Sequence, residues 1–281
     1  MAEYKISLVA SAIRPQVWKS FFDSLKGNHY PIEVVFVGDV RPDFELPPFV
    51  NYIYATVKPS QCYEIGFIAA KGELVGWTAD DAVYSHVNNN NLDILYDFYK
   101  SFNNRNIVVG QRPIEDNRDV FKNHYLFGKH PETPYMLPFG FMDRELFHEL
   151  GGYDKRFVCG QAENDMVMRV YEIGGKVELC MDAYVQVHHT QVHQGARQEF
   201  RKWYPQDRVR LELCWVKEGL GAMGPGRSRM FNPTISKTRL FPFEPFPKEP
   251  EILQLSTKPC GKWDEGYCNA KKVSGKKGIN I

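Results

Sequence analysis

Gly72-Glu73-Leu74-Val75-Gly76-Trp77-Thr78-Ala79-Asp80-Asp81 is an apolar run that ends in two adjacent carboxylates. A strand buried on both faces reads as continuous apolar residues, and in open α/β sheets ligands collect beyond the carboxyl ends of the strands. The stretch therefore predicts a central strand over 73–77 whose exit carries Asp80 and Asp81. Paired acids at such a place invite a divalent cation. They also serve as turn residues, because an aspartate side chain satisfies nearby backbone donors. The ten residues alone leave both readings open.

Working outward, Ile6–Ala10 is an apolar run followed by a turn, Ser-Ala-Ile-Arg-Pro, and then by Trp18, Phe21, Phe22 and Leu25 at helical spacing. Ile32–Val37 predicts a second strand ending at Gly38-Asp39, and Asn51–Thr56 a third. Ile65, Phe67, Ile68 and Ala69 suit a helix before the central strand. This β-α-β opening implies a parallel sheet with right-handed crossovers. An amphipathic helix is predicted over 92–102 and a strand over 107–110. Residues 111–135 are polar and aromatic without clear periodicity, as in a long loop that covers a site. A short helix over 143–150 and a turn, Gly151-Gly152-Tyr153-Asp154, precede a helix that opens on Glu163-Asn164-Asp165 and is capped by Gly174-Gly175. Acids in a first turn are favoured by the helix dipole, which is the bland account of Glu163. Two short strands follow, over 176–179 and 183–187, the second ending in His188-His189. A helix broken near Pro205 spans 197–216. Residues beyond about 222 are rich in Gly, Pro, Arg and Lys and form an extension laid over the domain or partly disordered.

The bulk numbers exclude several classes. The chain has 281 residues, 43% hydrophobic and 25% charged, which suits one large domain with a tail. A formal net charge of +1 gives no broad claim on nucleic acid or anionic membrane, so an anionic ligand must be met locally. Six widely spaced cysteines without a C-x-x-C pair argue against a zinc ribbon or a dense disulfide framework. No stretch approaches membrane-spanning length and the first residues lead straight into a strand, so a soluble cytoplasmic protein is expected.

In this order the landmarks resemble the GT-A fold glycosyltransferases, chiefly the family 2 type and, around 161–169, the β-1,4-galactosyltransferase type. The resemblance covers about residues 5–190 and implies an α/β fold: a Rossmann-like, mixed, mostly parallel sheet flanked by helices, with an irregular carboxyl-terminal extension. It implies a domain over 1–220, with a nucleotide-sugar half to about 110 and an acceptor half from 111, and an extension over 221–281. The family's nucleotide-binding positions map onto Ala10, Arg14 and Asp39, and its Asp-x-Asp motif onto Thr78-Ala79-Asp80. Thr78 stands where the family has its first acid, and this departure implies weaker or more water-rich coordination at Asp80. Matching the acidic cluster on Asp165 and Arg169 places Glu163 where inverting members carry the general base, with Asp165 positioning the acceptor or, as the alternative, serving as the base itself. The late metal ligand of the family is His188 by alignment or His189 by strand alternation. Lys71, Thr78 and Asp81 complete the expected donor site, although Lys71 also suits a helix carboxyl terminus.

The chemistry that follows is a metal-dependent, inverting transfer of a hexose or pentose from a nucleotide sugar, UDP-linked by family frequency, to a glycan acceptor. The departing diphosphate needs a Lewis acid or cationic side chains. An aspartate with a histidine suits Mn²⁺, with Mg²⁺ as the alternative. The attacking hydroxyl must lose its proton to a carboxylate. Two other classes compete. A nucleotidyltransferase would use a Gly-rich phosphate loop, which Ser-Ala-Ile-Arg-Pro is not. A catalytically inactive sugar- or nucleotide-binding module is kept open by Thr78.

Overall fold

The computed structural model describes residues 3–120, 137–188, 202–215, 241–255 and 270–273. Its centre is an eight-stranded sheet built from β1 (Ile6–Ser11), β2 (Ile32–Gly38), β3 (Val50–Tyr54), β4 (Leu74–Trp77), β5 (Ile107–Glu115), β6 (Arg118–Asp119), β7 (Gly140–Asp143) and β8 (Lys176–Val187). The strand order is β3-β2-β1-β4-β7-β5-β6, with β8 on the other edge of β5. β1 pairs in parallel with β2 and β4, β2 with β3, and β5 with β8. β7 runs antiparallel between β4 and β5, and β6 folds back on β5. The mixed, mostly parallel sheet that the sequence predicts is present, and the central strand over 73–77 is β4.

Alternation along the strands splits the core into two layers. Val9, Val35, Val75, Trp77 and Met142 face one side, and Leu8, Phe36, Leu74 and Phe141 face the other. The first face is covered by α2 (Pro59–Ala69), α4 (Arg144–Glu149), α5 (Ala162–Glu172) and α6 (Tyr204–Trp215), through residues such as Phe67, Phe147, Met166 and Leu211. The second is covered by α1 (Pro15–Asp23) and α3 (Asn91–Ser101), through Trp18, Phe21, Leu92 and Tyr96. α1 forms because Pro15 presets its first turn and Trp18, Phe21 and Phe22 recur on one face. It stops at Ser24, whose hydroxyl donates to the Phe21 carbonyl at 2.6 Å.

Three local expectations change. The predicted loop from 111 is strand as far as Glu115, because Gln111–Glu115 find partners on β8 that no single-strand pattern reveals. Residues 121–136 lie outside the described ones. The two short strands over 176–187 are one, β8, whose register on β5 shifts so that Gln111 pairs Cys180 and Arg112 pairs Tyr184. Met181 and Asp182 fall within the shift and are exposed, which accounts for the break in the hydrophobic pattern. The last helix begins at Tyr204 with Pro205 in its first turn, where proline starts a helix rather than breaking it.

Residues 241–251 lie across the amino terminus of α2 and α6. The Lys58 amide donates to the Glu244 carbonyl at 3.0 Å, the Glu244 amide to Gln61 Oε1 at 2.6 Å, and the Glu251 amide to Gln206 Oε1 at 2.7 Å. Phe246 meets Trp203 with ring centroids 4.3 Å apart. β9 (Ile252–Leu255) and β10 (Ala270–Val273) form a separate antiparallel pair.

Candidate functional site

The carboxyl edge of the parallel strands brings two groups of residues together. The first is built where β1 and β4 end side by side, the Thr78 amide donating to the Val9 carbonyl at 2.9 Å. Asp80 leaves this edge fully buried. Its Oδ2 accepts from the Ile13 and Arg14 amides, both at 2.9 Å, and from the Trp18 indole at 3.1 Å. Its Oδ1 accepts from Arg14 Nε at 2.7 Å and from Arg14 Nη2. The same guanidinium donates to Asp81, from Nη1 at 2.8 Å and from Nη2 at 3.0 Å. Arg14 is thus forked across both acids, and the acids raise its pKa against the opposing effect of burial. Thr78 is closed off as well: its Oγ1 accepts from the Tyr84 hydroxyl at 2.6 Å, and its carbonyl from the Tyr63 hydroxyl at 2.6 Å.

Glu163 stands in the first turn of α5. Its Oε1 accepts from the Gln161 amide at 3.2 Å, and part of its surface remains open. Burial pushes its carboxyl up to about 7, against backbone hydrogen bonds that favour the charged form, with Asp207 and Asp165 adding to the rise. Gln161, the residue before the helix, adopts a left-handed backbone with φ of 69°. Such a conformation is costly for a residue with a Cβ and needs support. Asp207 gives it: from α6 its carboxylate accepts the amides of Val158, Cys159 and Gly160 at 2.8–3.2 Å and pins the loop that enters α5. Burial raises the Asp207 carboxyl, and those three amides oppose the rise.

The Gly-Gly-Tyr-Asp turn is clamped from both sides. Gly152 has φ of 71°, and a Cβ there would come within 2.5 Å of the Glu64 carboxylate, so only glycine fits. Glu64, fully buried on α2, accepts the Tyr153 amide at 2.8 Å. Arg169 donates to the carbonyls of Leu150 at 2.9 Å and Gly152 at 2.5 Å, and to Asp165 from Nε at 3.0 Å and from Nη2. Tyr63 links the two groups. Its phenol is pushed well up by burial first, then by Glu163 and Asp80, with Arg14 opposing. Its ring centroid is 6.0 Å from that of Tyr153.

The expected site residues therefore separate. Arg14, Thr78, Asp80 and Asp81 meet at the ends of β1 and β4, and Glu163 reaches the same edge from α5. Ala10 is buried in β1, paired with Phe36, and Asp39 is exposed just past the end of β2. Asp165 is fully buried against Arg169, so its carboxylate serves the turn rather than an open cleft. Lys71 precedes β4, and its amide donates to Glu33 on β2; it belongs to the amino-terminal end of the strands, opposite the acids. The topology thus removes Lys71 from the donor cluster. His188 follows β8 and is half-buried at the acid edge, because Val83 and Gln186 exchange backbone hydrogen bonds of 2.8 and 2.9 Å. His189 lies outside the described residues.

As they stand, the described residues do not fit a divalent cation. Both oxygens of Asp80 and of Asp81 already accept from protein donors. No group of three His, Cys, Asp or Glu side chains that could hold a metal occurs among the described residues.

Glu64, Asp207 and Tyr63 were not singled out by the sequence. Glu64 left a signal, a charge within a predicted helix whose neighbours are apolar. Asp207 left none, because its partners lie nearly fifty residues away.

No family model and no curated protein sequence matches the chain. Solved structures do resemble it. S. aureus TarS 1-349 in complex with UDP matches with a TM-score of 0.55 at 13% identity, over 74% of this chain and 63% of that one. S. aureus TarS 1-349 matches with 0.53 at 14% identity, over 66% and 60%. The complex with UDP-GlcNAc matches with 0.50 at 14% identity, over 66% and 59%. The chain thus spans about three fifths of the TarS 1-349 chains it matches. At these identities the likeness is one of fold. Among the described residues no helix is long and apolar enough to cross a membrane.

Proposed function

We propose that this chain is an inverting glycosyltransferase that moves a sugar from a nucleotide diphosphate, a UDP-sugar before others, to a hydroxyl of a glycan acceptor. The observation that carries this reading is Glu163: a partly open carboxylate at the start of α5, raised by burial to about 7 against its backbone hydrogen bonds, on the edge of the sheet that also holds Arg14, Asp80 and Asp81. A carboxylate tuned near neutrality is suited to take a proton from an attacking hydroxyl. The fold likeness to chains crystallised with UDP and UDP-GlcNAc supports the donor class.

In this mechanism Glu163 accepts the acceptor's proton as its oxygen attacks the anomeric carbon from the face opposite the diphosphate. One base and one in-line displacement invert the anomeric centre. Asp39, exposed just past the end of β2, lies at the carboxyl edge where ligands of open α/β sheets collect, and its proposed part is to meet the nucleoside. Asp165 holds Arg169, which holds the Gly-Gly-Tyr-Asp turn, so its part is to position the helix that carries Glu163.

The test is a panel of UDP- and other nucleotide sugars, read as release of nucleoside diphosphate and as thermal stabilisation. A UDP-sugar is expected to give both, with the product anomer inverted by NMR. Silence toward every nucleoside diphosphate and nucleotide sugar would overturn the proposal.

A further inference from the structure

We infer that the Arg14 guanidinium is the resident cation of the Asp80–Asp81 pair, and that a divalent ion can enter only by displacing it. A carboxylate offers about four lone-pair directions. On Asp80 they are met by the Ile13 and Arg14 amides, the Trp18 indole and two guanidinium nitrogens, and the side chain is fully buried. On Asp81 each oxygen accepts from its own guanidinium nitrogen, at 2.8 and 3.0 Å, and the side chain is 7% exposed. The donors are not loose. Trp18 is packed on Phe36 at a centroid distance of 4.9 Å, and the two amides belong to the turn between β1 and α1. Thr78 cannot replace a carboxylate in drawing an ion, since its hydroxyl is engaged by Tyr84.

Charge gives the same answer. Two carboxylates and one guanidinium sum to −1; a divalent ion added beside Arg14 would face a cation a few ångströms away, with little water to screen it. Hard divalent ions also ask for about six oxygen ligands, and here two side chains supply them only after Arg14 withdraws.

Mn²⁺ alone is the probe, titrated into the full chain and followed by the electron paramagnetic resonance signal of the free ion. Arg14→Gln is expected to bind Mn²⁺ at least about ten-fold more tightly than the unsubstituted chain, the change a unit charge makes at such a site. Adding Asp81→Asn to Arg14→Gln is expected to abolish the gain. Equal affinity in the unsubstituted chain and in Arg14→Gln overturns the inference. Should Arg14→Gln fail to fold by circular dichroism, Asp81→Asn alone decides: unchanged Mn²⁺ binding supports Arg14 as the occupant, and a ten-fold fall overturns it. Cation binding needs neither donor nor acceptor, so the outcome stands apart from the sugar-transfer assay.

Discussion

The acids at the end of β4 and the acid at the start of α5 share one edge of the sheet and differ in everything that decides their chemistry. Asp80 and Asp81 are saturated with donors from the turn between β1 and α1, with Arg14 forked between them. Glu163 accepts backbone hydrogen bonds that burial outweighs, has Asp207 and Asp165 as its charged neighbours, and is raised to about 7. Hydrogen bonds to the charged form and an adjacent cation favour ionisation; burial and neighbouring carboxylates oppose it. A carboxylate of the first kind is an electrostatic fixture. One of the second kind can exchange a proton near neutral pH.

The contrast breaks most sharply at Glu163. Glu163→Gln keeps the shape and removes the base, so turnover of the productive nucleotide sugar is expected to fall by about 10²–10⁴-fold with nucleotide affinity unchanged by calorimetry. A variant that turns over normally would remove Glu163 from the chemistry.

Next comes the support beneath it. Arg169→Met takes the guanidinium away from the buried Asp165 carboxylate and from the carbonyls of Leu150 and Gly152. Breaking one side of a buried pair costs about 3–5 kcal/mol, which urea unfolding would detect.

The pH dependence sharpens the comparison further. A base raised to about 7 must ionise before it works, so kcat/KM is expected to rise with pH through about 7 and level off above it. Asp207→Asn removes a charge that holds Glu163 up, so the midpoint is expected to move down. The same shift has a stability counterpart. From the ordinary 4.5 up to about 7 the folded chain keeps a proton on Glu163 that the unfolded chain has lost, so this group lowers stability as pH rises through that window.

The smallest effect distinguishes two tyrosines. Tyr63 donates to the Thr78 carbonyl, so Tyr63→Phe is expected to cost about 1 kcal/mol. Among the described residues the Tyr153 hydroxyl is buried with no hydrogen-bond partner, so Tyr153→Phe, which removes an unmet polar group, is expected to leave stability unchanged or raise it. Thermal unfolding of the two variants side by side gives the answer.

Much of this was legible beforehand. The apolar run before Asp80 identified a strand buried on both faces, and alternating strands and helices identified a parallel sheet, because burial imposes periodicity on neighbouring residues. Gly151-Gly152 marked a turn that tolerates no Cβ at Gly152. The extension of β5 past Gln111 was not legible, since its partner strand begins more than sixty residues later. The place of Lys71 was legible too: it precedes β4, so it lies at the amino-terminal end of that strand, away from Asp80 and Asp81.

The amino-acid sequence by itself determined that Asp80, Asp81 and Glu163 would lie where chain leaves strand or enters helix, because local patterning fixes element ends. Tertiary structure alone decided what each acid faces. Arg14 and Trp18 come to Asp80 from more than sixty residues away, and Asp207 reaches the loop before Glu163 from nearly fifty. A carboxylate's charge state follows from those distant donors and from burial, and neither is written in the residues beside it.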